Sequence, residues 1–517
     1  MSEDRRFPTQ ADVVVVGGGS AGATVAGTLA ERSDLDVVLI EAGPDYGPKA
    51  SGRWPEGLLD PAIMTFSHDW GYSGKVHGRN VSFPRAKVLG GCSAINGAAV
   101  VHGSRHDYDG WARAGNPGWT ADELMPLFES AWKRMQVAKV GRDDLTPFQA
   151  ACMDAIAANG IPAVDDLNNL DENCGVAPFP TNTDPGGVRI NSAFGYVDPQ
   201  RDRTRLTVLG DAPVERILLR DGQVQGVIVR NGHGNGNGDE ALAISAPRVV
   251  VCAGAYGSPA LLLRSGIGPS PQLSACGVRP LHELPGVGEN LHDQPTVQVD
   301  YAGTAELAQQ MRGFPHRGRR REEQVIAKFP SRSCPVGFDL HIFPIGGPRD
   351  DPDAEGRTAA FSIGAAVLSP RSRGSVRLTG PGLDDDLLID HRYLTDPDGS
   401  DLARLVEVVL RIRAVVADSA LQSLLGDETF PGPEQTGGAL AACIAASVVH
   451  YYHPAGTCKM GPATDPTAVV DPDGAVYGLR GLFVGDASIM PNVVSGNTNL
   501  PTIVIGEKLG RFVANQN

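Results

Sequence analysis

Cysteine is sparse and scattered. The eight residues at 92, 152, 174, 252, 276, 334, 443 and 458 of this 517-residue chain form no CxxC pair and no His–Cys spacing. That pattern excludes a disulfide framework or a zinc site as the organising device, and it points to a reducing, cytoplasmic setting. Positive charge is in deficit: 45 Lys and Arg against 60 Asp and Glu leave a formal charge of -15. A chain that must neutralise phosphates needs the opposite balance, so nucleic-acid binding is excluded. No apolar run approaches the roughly 18 residues of a membrane helix. The opening MSEDRRFPTQ is charged and runs directly into a strand, so no secretory signal is expected. Internal repeats are lacking, and the histidines, among them His102, His106, His292 and His341, show no metal-ligand spacing. One segment departs from the acidic balance. RGFPHRGRRREEQ at 312–324 places five Arg in ten residues before Glu322 and Glu323, and is expected to be a mobile surface loop.

What is present is a core of ordinary size, 41% hydrophobic over a length suited to two or three domains. The chain opens on ADVVVVGGGSAGATVAGTLAERSDLDVVLIEAG, which reads as strand, Gly-rich turn, helix and second strand. Asp12 to Val16 is a β-branched run suited to a central parallel strand covered on both faces. Gly17, Gly19 and Gly22 keep the GxGxxG spacing, and Glu41 closes the second strand 22 residues after Gly19. Gly17 permits the tight turn, Gly19 admits a pyrophosphate to the helix N-terminus, Gly22 lets helix meet strand, and Glu41 accepts from a ribose diol. All these parts in order are a much stronger signal than the glycines alone.

The middle of the chain is less patterned. LTVLGDAPVERILLRDGQVQGVIVRNG (206–232) alternates as antiparallel strands around an RDGQ turn, and GHGNGNGDE after it reads as a loop tip. RVVVCAGA (248–255) is another strand. GFDLHIFPIG, AAFSIGAAVLS and GSVRLTG read as strands of a second sheet, beside a helix over 400–418 with Ser400 as its N-cap. The terminal RGLFVGDASIMPNVVSGNTNLPTIVIGEKLGRFV supplies a strand, a Gly-Asp turn and a helix beginning near Pro501.

The first motif serves NAD and FAD alike. The distant VGDAS favours FAD, because Asp486 at a strand end suits a polyol such as the ribityl chain, and no second GxGxxG unit is present for a nicotinamide dinucleotide. RAKVLGGCSAINGAAVVHG (85–103), GAYGSPALLLRSGIGP (254–269), LPGVGENLHDQP (284–295), HPAGTCKMGP (453–462) and GDASIMPNVVSGNTNLPT (485–502) resemble, in order, the motifs of the glucose-methanol-choline (GMC) oxidoreductases. The resemblance spans essentially the whole chain. It implies an α/β fold: a Rossmann-like FAD-binding domain assembled from residues 1–150, 206–300 and 453–517, and a substrate domain of antiparallel sheet and helices from 151–205 and 301–452.

It also implies that Gly90, Gly91, Ser93, Asn96 and Gly97 run along flavin and pyrophosphate, that Val214 meets the adenine, and that Asp486 and Ala487 lie beside the ribityl chain. Ser20, Ala21, Ala42, Val88, Ala98, Ala253 and Pro501 join the implied cofactor contacts. Some members hold the flavin covalently through a His in the first signature. This chain has Ile95 there, so non-covalent FAD is expected.

The implied activity is oxidation of a small-molecule alcohol, with dioxygen or another electron acceptor reoxidising the flavin. A lyase or decarboxylase on the same fold is the alternative. Alcohol oxidation removes a hydroxyl proton and passes the α-hydrogen to flavin N5 as hydride, so a base must reach the hydroxyl and a second polar group must orient it. The resemblance assigns these roles to His453 and Asn499. His450, Tyr451 and Tyr452 flank the base.

Overall fold

The computed structural model describes residues 7–62, 65–231, 240–314, 323–346, 360–417 and 421–516. The Arg-rich segment from 315 to 322 and the Gly/Asn-rich insert at 232–239 lie outside the described residues.

Four valines make strand β1 (Val13–Val16), and every one is buried. Buried on both faces, such a run belongs mid-sheet. It pairs in parallel with β2 (Val37–Ile40) on one side and with β4 (Arg248–Val251) on the other, while β3 (Leu206–Leu209) extends the sheet beyond β2. Between β1 and β2 runs helix α1 (Ser20–Arg32), and after β4 comes α2 (Gly254–Arg264). Residues 206–209 therefore join the parallel sheet rather than the expected antiparallel run. The hairpin itself begins at Val214 and turns at Asp221–Gly222, both at positive φ.

Among the described residues the second large sheet has seven strands and is antiparallel. Strand β5 (Pro295–Gly303) sits inside it, between Ala360–Val367 and Leu425–Phe430. Helix α3 (Ser400–Ala417) covers this sheet with Leu405, Val408, Val409 and Ile412, all buried. Gly399, at φ 64°, precedes it, so Ser400 is the first helical residue rather than the cap. Ser375–Leu378 also departs from expectation, pairing with Leu387–Asp390 in a separate four-stranded sheet.

Two later strands carry the chain from the second sheet back to the first. The short strand β6 (Val449–His450) pairs with the start of β5, Pro295 opposite His450 and Thr296 opposite Val449. Because the pairing is antiparallel, residues just before Pro295 run beside residues just after His450, and His292 bridges Ala455 further along. This register brings Gln294 and His453 together across 159 positions of sequence. Strand β7 (Leu482–Val484) then closes the parallel sheet beside β4. Helix α4 (Asn499–Ala514) packs on α1, where Gly506 and Gly510 allow close backbone approach: a Cβ on Gly506 would lie 2.7 Å from the Ala21 carbonyl oxygen. The helix starts at Asn499 after Thr498, so Pro501 is its third residue.

Candidate active site

At the end of β1 the chain must turn sharply. Gly17 does so at φ +94°, where a Cβ would also lie 2.5 Å from the Cys252 carbonyl oxygen. A Cβ on Gly22 would meet the Gly17 carbonyl oxygen at 1.8 Å, so α1 rests directly on the strand end. Gly19 occupies the N-cap without a side-chain cap, and the first turn of α1 carries no acidic residue. Such a terminus presents unpaired N–H groups and favours an anion. Glu41 holds the turn from the end of β2: Gly18 N–H donates to its Oε2 at 2.8 Å and Gly43 N–H to its Oε1 at 2.9 Å. Burial lifts this carboxyl to about 7, against the pull of those N–H groups.

Two cavities meet at this turn. One, of about 430 Å³, is lined by Gly17, Gly19, Glu41, Ala42, Val214 and Ala253. The other, of about 580 Å³, is lined by Ser20, Ala21, Asn96, Gly97, Ala98, Asp486 and Ala487, and reaches His453. Tyr72, Ala86, Cys252, Ala253 and Gly257 line both, so the two form one trough. Gly97 leaves open space: a Cβ there would meet nothing within 4 Å. A long dinucleotide with its phosphates at the α1 terminus fits this shape and these donors. Ile95, in the same wall, offers only carbon.

Gly22, Val88, Gly90, Gly91, Ser93 and Pro501, expected as contacts, line neither cavity. They are packed behind the wall. Gly90 N–H donates to the Gly18 carbonyl at 2.8 Å, and a Cβ on Gly91 would lie 2.6 Å from Gly19 Cα, so one glycine turn buttresses the other. Ser93 Oγ donates to the Gly90 carbonyl and accepts from Ser192 N–H at 2.9 Å. Val88 is fully buried, and Pro501 is buried inside α4. Asp486 does line the trough, and its carboxylate also stitches β7 to α2: Oδ2 accepts from Gly254 N–H and Ser258 Oγ, and Oδ1 accepts from Ser488 N–H.

His453 sits where the trough meets the antiparallel sheet. Its backbone N–H donates to Asp293 Oδ1 at 3.0 Å, and Nδ1 lies 2.6 Å from Gln294 Oε1. Burial, with Arg85 and His450 adding positive charge nearby, drives its pKa down to about 3. The ring is therefore neutral, with one nitrogen protonated and the other an acceptor. Tyr451 packs its ring 4.7 Å from that of His453 and stacks on Phe343, its hydroxyl buried and unpartnered. His450 points elsewhere, with Nε2 2.9 Å from the Ser82 carbonyl.

The expected partner Asn499 lines the same cavity as His453, but the side chain in contact with Nε2 is another. Asn499 Oδ1 accepts from Ser20 Oγ at 2.8 Å, tying α4 to α1. Asn497 is beside the base instead, with Nδ2 3.4 Å from His453 Nε2 and Oδ1 buried without a partner. The two asparagines of SGNTNLPT differ in place: Asn499 is already helical, whereas Asn497 precedes Thr498 and aims out of the loop. That distinction is available from a careful placement of the helix start. Asp293 and Gln294 carry no such local signal.

Residues 11–296 and 370–506 match the models for the N- and C-terminal parts described as GMC oxidoreductase. An oxygen-dependent choline dehydrogenase of Ectopseudomonas mendocina is 32% identical over 96% of this chain and 93% of its own length. A choline oxidase of Arthrobacter globiformis is 32% identical over 99% of this chain and 94% of its own. The crystal structure of pyridoxine 4-oxidase from Mesorbium loti is 30% identical, covers 98% of this chain and 99% of its own, and superposes with a TM-score of 0.85.

Proposed function

This chain belongs to the GMC oxidoreductase family, and on that premise we propose that it binds FAD without a covalent link and oxidises the CH–OH group of a small alcohol with His453 as base. The observation that carries the reading is the pairing of His453 Nε2 with Asn497 Nδ2 at 3.4 Å on the wall of a cofactor-sized trough. A substrate hydroxyl entering between them donates its proton to Nε2 and accepts a hydrogen bond from the Asn497 amide. Deprotonation makes loss of the α-hydrogen easier, and the two contacts fix which C–H bond faces the trough. FAD, when bound, supplies the hydride acceptor. Asn497 stabilises the oxygen as negative charge grows on it.

The α1 terminus, Glu41 and the backbone at Asn96–Ala98 suit the pyrophosphate, ribose and flavin ends of the cofactor, and Ile95 supports non-covalent attachment. Relatives named as an oxygen-dependent dehydrogenase and as oxidases support dioxygen as the acceptor. Eight unpaired cysteines support a reducing compartment such as the cytoplasm.

The test is an anaerobic titration of the flavin-loaded protein with primary, benzylic, furanic and sugar alcohols, followed by air. An alcohol is expected to bleach the flavin, and air to restore it with hydrogen peroxide as product. A flavin that no alcohol bleaches defeats the proposal. Denaturation should release the flavin into solution; flavin that stays with the polypeptide overturns the non-covalent reading.

A further inference from the structure

One side chain touches both the base and the loop that carries its partner. Gln294 presents Oε1 to His453 Nδ1 at 2.6 Å, while its Nε2 faces three backbone carbonyls: Val494 at 2.8 Å, Gly496 at 3.2 Å and Leu368 at 3.3 Å. Three carbonyl oxygens accept only from an NH2 group, so the carboxamide has one permitted orientation. Its oxygen must then meet the imidazole, and a ring nitrogen that faces an oxygen must carry a proton. The same NH2 holds Val494 and Gly496, the stretch that delivers Asn497. Gln294 is fully buried, so neither contact is shared with solvent.

We propose that Gln294 is the positioning residue of this site: its oxygen fixes the Nδ1–H tautomer of His453, and its nitrogen fixes the loop carrying Asn497. The inference rests on the reading of His453 as the base. Without Gln294 the imidazole can place its proton on Nε2, where it has no lone pair left for a hydroxyl, and the Asn497 loop loses its anchor. Asp293 plays a separate part, holding the His453 backbone through its N–H. The charged and titratable groups acting on the ring from neighbouring elements are Arg85, His450, His341, Tyr451 and Asp293. None of them contacts Nδ1.

The experiment uses the FAD-loaded full chain. Gln294→Met keeps the length and removes the amide; the rate of anaerobic flavin reduction is expected to fall about 10²-fold, mainly in kcat rather than KM. Gln294→Glu, held protonated by burial against the three carbonyls, donates to one of them and still offers an oxygen to Nδ1–H, so it should retain a larger share of the reduction rate than Gln294→Met. A residue that served only packing would lower thermal stability and leave kcat in place. Neutron diffraction of the wild-type protein reads the tautomer without any variant: a proton on Nδ1 and none on Nε2 is expected. A proton on Nε2, or wild-type reduction by Gln294→Met, overturns the proposal. His453→Ala separates the two readings, because rapid reduction by that variant sinks the base itself.

Discussion

A buried imidazole with its proton held on one nitrogen is a base at almost any working pH. His453 is driven down to about 3 by burial first and by Arg85 and His450 second. A base works when unprotonated, and protonation sets in only as pH falls through that low value. His453 should therefore contribute no acid limb to the reduction rate near pH 6.5, the ordinary histidine value, in short pH-jump assays; Asp293 and Glu41, raised to about 7, titrate in that window, so a limb that survives in both Asp293→Asn and Glu41→Gln contradicts the neutral-imidazole geometry. Replacing His453 with Ala should cost the reduction rate about 10²–10⁴-fold. The two asparagines separate the geometry from the sequence expectation. Asn497→Ala removes the amide beside Nε2 and should cost about 10²-fold in kcat. Asn499→Ala breaks the bond from Ser20 Oγ and leaves the Asn497–His453 contact in place, so it should cost about 1 kcal/mol of stability, with kcat changed far less than in Asn497→Ala. Stopped-flow reduction of both variants decides between them, and the reverse order of effects restores Asn499 to the chemistry.

At the level of elements, glycines with identical chemistry have opposite tolerances. A Cβ on Gly22 would sit 1.8 Å from the Gly17 carbonyl oxygen, so Gly22→Ala pushes α1 off β1 and should abolish folding or flavin retention. Gly97 has open space around its missing Cβ and borders the trough. Gly97→Ala should keep the melting temperature of the apoprotein and lower the flavin-to-protein absorbance ratio; equal losses in both variants would mean that Gly97 is packed, not exposed to cofactor. This contrast shows what was legible in the sequence. The β1–α1–β2 unit was readable because its constraints are local: a valine run, glycines at fixed offsets, an acid at a strand end. Gly90, Gly91 and Ser93 lie behind the wall rather than in it, and motif order does not tell which face of a turn meets a ligand. The alternation at Ser375–Leu378 marks a strand but not its sheet, since a strand's partners depend on contacts far along the chain. Gln294 was invisible for the same reason, its role arising only from the Pro295–His450 register.

Across the whole molecule, burial of histidines sets the acid limit of the fold. His102, His341 and His453 are pushed down to about 3, His450 to about 4, and His292 and His391 well below the ordinary value, with desolvation the leading cause each time. Their contribution is fully present above the unfolded value near 6.5. It is lost as pH falls below that value, because only the unfolded chain takes up those protons. Glu41 and Asp293, raised to about 7 by burial, act in the opposite sense, since the folded chain binds their protons first. Six histidines against two acids leave a net uptake of about four protons on unfolding near pH 5.5, or about 5 kcal/mol per pH unit, and a smaller downward shift by burial at His68 acts in the same sense. Smaller upward shifts at Asp107, Asp396 and Asp471 trim that figure. Denaturant melts from pH 7.5 to 5 should show stability falling steeply below about 6.5. His341 allows a clean check, because both its ring nitrogens are buried without a partner and its ring stacks on Phe338. His341→Phe keeps the ring and removes two unsatisfied atoms, so it should gain about 1–3 kcal/mol at neutral pH. It should also reduce the acid slope by one proton, about 1.4 kcal/mol per pH unit. An unchanged slope would show that His341 titrates normally in the fold, and the acid limit would then have to come from the other buried histidines.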